Sequence, residues 1–260
     1  MPWPPSAELT CPKVRVTCNI ERCGTGSAAC ANPGNCEIFI SPKMCQLLEF
    51  PEGEYPVAIF KKKVGCSDAE PRQVAAYGLR EFGLICCSIR HEYAHLVDPN
   101  KADRLRKTFS CGEIYAENFE NYCLDRVVET YCSPERISKD PKLKAACAGL
   151  CQWKSRQSLQ EVWDGCICSE SSTSQEAPTQ ANCDKCEQKC RQGGGSQYRD
   201  GFIPRCKGFL SGWNSEFLRE TLCHQLAQSS AHSCSYYKSL PLPEARSADT
   251  NPVSGVVPAP

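Results

Sequence analysis

No sign of charge dominates this chain of 260 residues: Lys+Arg and Asp+Glu each number 30. Without a basic stripe interleaved with aromatics, phosphate-backbone binding has no electrostatic footing, so no nucleic-acid partner is expected. No apolar run reaches the roughly 18 residues a spanning helix needs, so a transmembrane helix and a membrane partner are not expected either. The opening Met1-Pro2-Trp3-Pro4-Pro5 lacks the basic segment and apolar core of a secretory signal. Gly193-Gly194-Gly195-Ser196 has no P-loop lysine or preceding strand, and reads as a flexible loop, not a phosphate cradle. Histidine is scarce, with four in the chain, so any pair at ligand spacing stands out.

Cysteine is the opposite case. The chain has 22, an even number, scattered from Cys11 to Cys234. That density fits an oxidised, secreted or extracytoplasmic protein stapled by disulfides, with an export route that reads no visible signal peptide or a signal already removed. Cys86 and Cys87 are adjacent on an expected helix and point about 100° apart, so they pair with different partners. Cys183-x-x-Cys186-x-x-x-Cys190 has the look of a partial zinc site, but no second pair stands at finger spacing, and disulfides are the favoured reading.

Two of the four histidines lie in His91-Glu92-Tyr93-Ala94-His95. On a helix, positions i and i+4 share a face, so both imidazoles can reach one Zn²⁺, and the glutamate between them is placed to take a proton from water. The stretch from Asp68 to Pro99 reads as one long helix, with Asp68 as cap, Pro71 in the first turn and Asp98-Pro99 as stop. Phe82, Ile85, Cys86, Ile89, Tyr93, Leu96 and Val97 gather on one side, while His91 and His95 fall on the other with Leu84 and Cys87 nearby. A surface helix with two solvated histidines would leave this two-sided pattern unexplained.

Catalytic zinc normally takes three protein ligands. A continuation H-x-x-G-x-x-H is absent, because Asp98 and Lys101 stand where its glycine and third histidine would be. The next expected helix, Ser110 to Cys132, carries an apolar stripe of Ala116, Phe119, Cys123, Leu124, Val127, Val128 and Tyr131. Glu113, Glu117 and Glu120 fall on that stripe, where carboxylates are costly without partners. Ser110-x-x-Glu113 is also a capping box, which would commit Glu113 to the helix start and leave Glu117 as ligand. Glu113, Glu117 and Glu120 therefore all stay open on the residues alone.

The uncharged positions around the motif resemble the extended pattern of the zincin metallopeptidases. Glu113-Ile114-Tyr115-Ala116-Glu117 resembles the E-x-x-A-(acidic or amide) element of gluzincin families. Cys111-x-Glu113-x-x-Ala116 with Cys123-Leu124 is similar to bacterial secreted or effector-type domains carrying the same motif. The resemblance covers roughly residues 70–132. It implies a zinc metallopeptidase in which His91, His95 and Glu113 hold the metal, with Glu117 as the alternative ligand. Glu117 otherwise braces a ligand histidine, and Glu92 is the general base. It also implies a peptide or protein substrate and a further group that stabilises the oxyanion, for which His224, Tyr115 and Arg126 are candidates.

The expected fold class is α+β: a small N-terminal β-sheet, then zincin-type active-site helices, then a cysteine-rich helical extension. Val14, Val16, Cys18 and Ile20 alternate as in a half-buried strand, and 36–41 and 55–63 read as further strands, the last a candidate edge for an extended peptide. Asn32-Pro33-Gly34-Asn35 marks a turn between them. Lys142–Trp153 and Gln157–Trp163 read as helices. The expected divisions are a peptidase domain over 1–168, a linker over 169–181, a cysteine-rich extension over 182–238 and a disordered tail over 239–260. Two other readings accompany the peptidase: a cysteine-rich binding or inhibitory module with a non-catalytic metal site, and a peptidase acting as a toxin or effector.

Overall fold

A computed structural model describes residues 11–23, 28–49, 51–63, 78–100, 109–171, 179–192, 206 and 215–228. The fold is α+β, mostly helical, with a four-stranded sheet at the N-terminal end. Strands β1 (Lys13–Thr17), β2 (Ala29–Asn32), β3 (Glu37–Ile40) and β4 (Gly53–Pro56) lie in the order β2-β3-β1-β4. β1 runs parallel to β3 and antiparallel to β4, and β2 runs antiparallel to β3. The Asn32–Asn35 turn joins β2 to β3, with the Asn35 amide donating to the Asn32 carbonyl. Along β1 the alternation is physical: Val14 and Val16 are buried while Lys13 and Arg15 face out to Glu54.

Two short helices frame the sheet. Helix α1 (Pro42–Leu47) begins at Ser41, whose Oγ accepts from the Met44 amide, with Pro42 at the first position where a missing N–H costs nothing. Helix α2 (Val57–Lys63) corrects the expected strand over 55–63, of which only Tyr55 and Pro56 are extended. Its apolar residues mislead by composition, since Val57, Ile59 and Phe60 all favour strands. Their burial is helical: Val57 and Phe60, three apart, are inside, and Ile59 is exposed. Lys61, Lys62 and Lys63 fill the last turn, where cations complement the helix dipole.

Helix α3 (Leu79–Val97) carries the H-E-x-x-H motif. It does not run unbroken from Asp68, because Gly78 sits at φ 73° and ψ 141°, outside helical geometry. Asp68 and Pro71 themselves lie outside the described residues. Helix α4 (Phe109–Tyr131) follows, then a single turn, α5 (Pro134–Ile137), and the 31-residue α6 (Pro141–Ser171). The two helical pieces expected in 142–163 are one helix. Ser155 at the expected break donates its hydroxyl to the Cys151 carbonyl, so it is satisfied inside the helix. Helices α7 (Gln180–Arg191) and α8 (Ser215–Gln228) complete the chain's described elements.

Three apolar clusters hold these parts. The C-terminal half of α3 packs Ile89, Tyr93, Leu96 and Val97 against Val14, Val16, Ile38, Ile40 and Phe60 of the sheet layer. Its N-terminal half packs Leu79 and Phe82 against Leu124, Val127 and Val128 of α4 and Leu150 of α6. The last part of α6 packs Leu159, Trp163 and Ile167 with the cysteines of α7 and with Leu226 of α8. Thus α6 passes residue 168 without interruption, and its end shares a core with the cysteine-rich helices. The intervening 172–178 and the tail over 239–260 lie outside the described residues.

Nine disulfides join described residues. Cys86 and Cys183 are also disulfide-bonded, and no described cysteine is free. Because Cys87 pairs with Cys123, Cys86 has a different partner, as its position on the helix requires. Cys186 and Cys190 bond to Cys166 and Cys223, so the C-x-x-C-x-x-x-C run is a disulfide framework. So many bridges belong to an oxidising environment. No helix among the described residues is long and apolar enough to cross a membrane.

Candidate metal centre

Helix α3 presents His91 and His95 one turn apart, away from the sheet, and α4 lies across that face. Cys87 of α3 and Cys123 of α4 are bonded, fixing the two helices together one turn before His91. Within that frame three donor atoms converge. His91 Nε2 and His95 Nε2 are 3.2 Å apart, and Glu113 Oε2 lies 3.1 Å from the first and 3.5 Å from the second. Side-chain exposures of 13%, 18% and 15% leave all three largely but not wholly shielded.

The spacing of this triangle fits a metal ion. Ligand atoms held tetrahedrally at zinc distances stand roughly 3.3 Å apart, close to all three observed separations. Without an ion the same atoms hydrogen-bond one another, His91 Nε2 with Glu113 Oε2 and His95 Nε2 with His91 Nε2, with donor and acceptor set by the tautomers. A cation between them satisfies all three at once, and His91, His95 and Glu113 together could hold one.

The surrounding charge points the same way. Burial alone would lower the His91 pKa, but the Glu113 and Glu120 carboxylates reverse this and carry it well above the ordinary histidine value. Burial would raise Glu113, yet the charge of His95 and hydrogen bonds from both imidazoles hold it well below the usual carboxylate range. The pocket therefore favours positive charge at its centre and an ionised Glu113. Glu92 behaves differently: burial raises its pKa, against the pull of His91 and His95 and with help from Glu113 and Glu120.

The three glutamates that share one stripe of α4 have separate surroundings. Glu113 joins the histidines. Glu117 turns to α6, where its Oε1 accepts from Gln160 Nε2 at 3.0 Å and its carboxyl hydrogen-bonds Asp164. Asp164 also accepts from the Ser110 hydroxyl. Ser110 follows Phe109 inside α4, so it does not stand at the N-cap position a capping box with Glu113 requires. Burial first, then Asp164, raises the Glu117 pKa well above the ordinary value, so this carboxyl keeps its proton. Glu120 Oε2 lies 3.1 Å from His91 Nδ1, a close contact that falls short of linear hydrogen-bond geometry. The carboxylate nearest a ligand histidine's other nitrogen is therefore Glu120, not Glu117 as the resemblance implied.

These groups belong to a polar seam between α4 and α6. Ser110 meets Asp164, Glu117 meets Gln160, Glu120 meets Gln157 and Trp153, and Asn121 meets Lys154 and Glu161. From Ser110–Asp164 through Glu117–Gln160 to Glu120–Gln157, partners fall in number on α6 as they rise on α4, the mark of antiparallel helices. Cys111–Cys168 closes the seam at one end, two residues from Glu113. Nothing near Gln157, Gln160 or Asp164 in sequence announces this role, since each partner lies 37 to 54 positions away.

Of the candidates for an oxyanion-stabilising group, two are engaged elsewhere. His224 on α8 lies 3.3 Å from Glu187 of α7 and 2.9 Å from Gln228. Arg126 pairs with Glu129 at 2.9 Å, about 20 Å along α4 from Glu113. Tyr115 meets Phe119 with the rings tilted and packs on the sheet-side cluster. No family model matches the chain, and neither a curated protein nor a solved structure matches it.

Proposed function

We propose that the chain is a secreted, disulfide-rich zinc metallopeptidase of gluzincin type that hydrolyses peptide bonds. The observation that carries this reading is the convergence of two imidazole nitrogens and one carboxylate oxygen at tetrahedral-edge spacing beside Glu92. A purely structural site normally closes all four positions with protein ligands, whereas three donors leave one open. Nitrogen and oxygen donors in this ratio suit zinc among the common divalent ions.

When bound, zinc would supply a Lewis acid that acidifies water and polarises the scissile carbonyl. His91, His95 and Glu113 would hold it. Glu92 follows His91 by one residue, and its carboxyl is buried close enough to feel the charges of His91, His95, Glu113 and Glu120. There Glu92 takes the proton of the attacking water and delivers it to the departing amine nitrogen. The buried seam behind Glu113 keeps bulk water from that side of the site.

The test is metal analysis together with peptide hydrolysis. Purified protein is expected to carry near-stoichiometric zinc, and Glu92→Gln should keep the metal while losing about 10²–10⁴-fold in rate. A protein that binds no zinc defeats the reading. Zinc without hydrolysis, unchanged by Glu92→Gln, would instead identify a binding module with a structural metal.

A further inference from the structure

We propose that Glu120 is a positioning residue for the metal centre, fixing the His91 imidazole so that its Nε2 lone pair faces the donor triangle. Through Gln157 and Trp153, α6 is the brace that holds Glu120 in place. This inference rests on the metal-site reading above and assigns the carboxylate that orients one of its ligands.

An imidazole that binds a metal through Nε2 must carry its proton on Nδ1, and an acceptor at Nδ1 selects that tautomer. His91 Nδ1 has Glu120 Oε2 at 3.1 Å. Glu120 is 5% exposed, so its charge is costly unless both oxygens have partners. Its other oxygen, Oε1, accepts from Gln157 Nε2 at 3.3 Å and from Trp153 Nε1 at 3.5 Å, both on α6. The two α6 donors thus sit on one oxygen and leave Oε2 for the histidine. Glu117, one turn earlier, cannot take the same part because Gln160 and Asp164 occupy it. The arrangement links three helices in order: α6 holds Glu120, Glu120 on α4 holds His91, and His91 on α3 faces the donors.

The experiment compares the full-length, oxidised wild-type chain with Glu120→Gln, Glu120→Asp, Glu117→Gln and Gln157→Ala. Zn²⁺ affinity is read by competition with a chromophoric chelator. The His91 tautomer is read from imidazole ¹⁵N shifts in the metal-free protein at alkaline pH, where the imidazole is neutral. Glu120→Gln should weaken Zn²⁺ binding about 10–100-fold, the usual effect of removing such a partner, and should turn His91 to mixed tautomers. Glu120→Asp should restore part of the affinity. Gln157→Ala leaves Glu120 in place and should cost several-fold, which keeps the test alive if Glu120→Gln fails to fold. Glu117→Gln should leave the His91 tautomer unchanged.

Wild-type affinity and an unchanged Nδ1–H tautomer in Glu120→Gln would overturn the inference. If wild-type protein binds no Zn²⁺, the metallopeptidase reading fails. The ¹⁵N shifts of the metal-free protein still decide whether Glu120 orients His91, so the two failures are distinguishable.

Discussion

Glu113 and Glu117 are one helical turn apart on the same buried stripe, and the structure drives their protonation in opposite directions. Glu113 faces two imidazoles and stays ionised. Glu117 faces Asp164, with Glu113 and the more favourable His91 further off, and keeps its proton. Glu113→Gln should therefore weaken Zn²⁺ binding at least tenfold by chelator competition, while Glu117→Gln should not, since an amide can still donate to Asp164. Comparable losses in both variants would make Glu117 a ligand as well. A pH dependence follows with a definite sign. Because the folded pKa of Glu117 is raised, folding takes up a proton between the ordinary glutamate value and the folded one. The associated stability is fully present below the unfolded value and is lost as pH rises through the folded value. In Glu117→Gln this loss disappears, so the variant should be more stable than wild type at pH 8 and no more stable at pH 4. Urea unfolding at the two pH values measures it, and parallel curves for the two proteins would contradict the shared-proton account.

At the scale of elements, the three helices behind the site meet where α3 has no side chain. A Cβ placed on Gly83 would stand 2.9 Å from Leu150 Cδ2 of α6 and 3.2 Å from Val127 Cγ1 of α4. Leu150 is fully buried, so its methyl has nowhere open to turn. Gly83→Ala gains helix propensity of about 1 kcal/mol, but the overpacking costs about 1–3 kcal/mol, and the crossing should loosen overall. Thermal unfolding of that variant, with Gly165→Ala as the control whose Cβ meets nothing within 4 Å, separates the terms. Gly165→Ala should stabilise, and a Gly83→Ala protein equally stabilised would show that the crossing is slack. The same scale explains what could be read in advance. Helix α3 was legible because its face toward the sheet is apolar at helical spacing and its two histidines are four apart. Helix α2 was not, because Val57, Ile59 and Phe60 satisfy strand composition, and only their contacts reveal a helix. Glu113, Glu117 and Glu120 could not be ranked because periodicity gives a residue's face and not its neighbour. The neighbours of Glu113 are imidazoles of the preceding helix, and those of Glu117 and Glu120, among them Gln157, Gln160 and Asp164, come from a helix about 40 residues on.

Across the whole molecule, the disulfides and the candidate metal site share a joint. Cys87–Cys123 pins α3 to α4, Cys111–Cys168 pins α4 to α6, and the donor triangle spans the first of these joints. A metal that binds only the folded chain adds stability by mass action, about 2.7 kcal/mol when free metal exceeds its dissociation constant a hundredfold. Zn²⁺ should raise the unfolding midpoint of the oxidised protein and EDTA should lower it. Replacing both Cys87 and Cys123 by Ser should cost about 2–4 kcal/mol from the released chain, and should weaken Zn²⁺ binding as well, because the two ligand-bearing helices are no longer held at fixed spacing. Replacing Cys190 and Cys223, which join α7 to α8, should cost similar stability but leave Zn²⁺ affinity unchanged. The contrast between the two double variants is decisive, since general destabilisation affects both alike. If both lose affinity equally, the metal responds to global folding alone. If only Cys87/Cys123 does, the disulfide frame sets the donor spacing directly, and oxidation of the chain is a step in assembling the site.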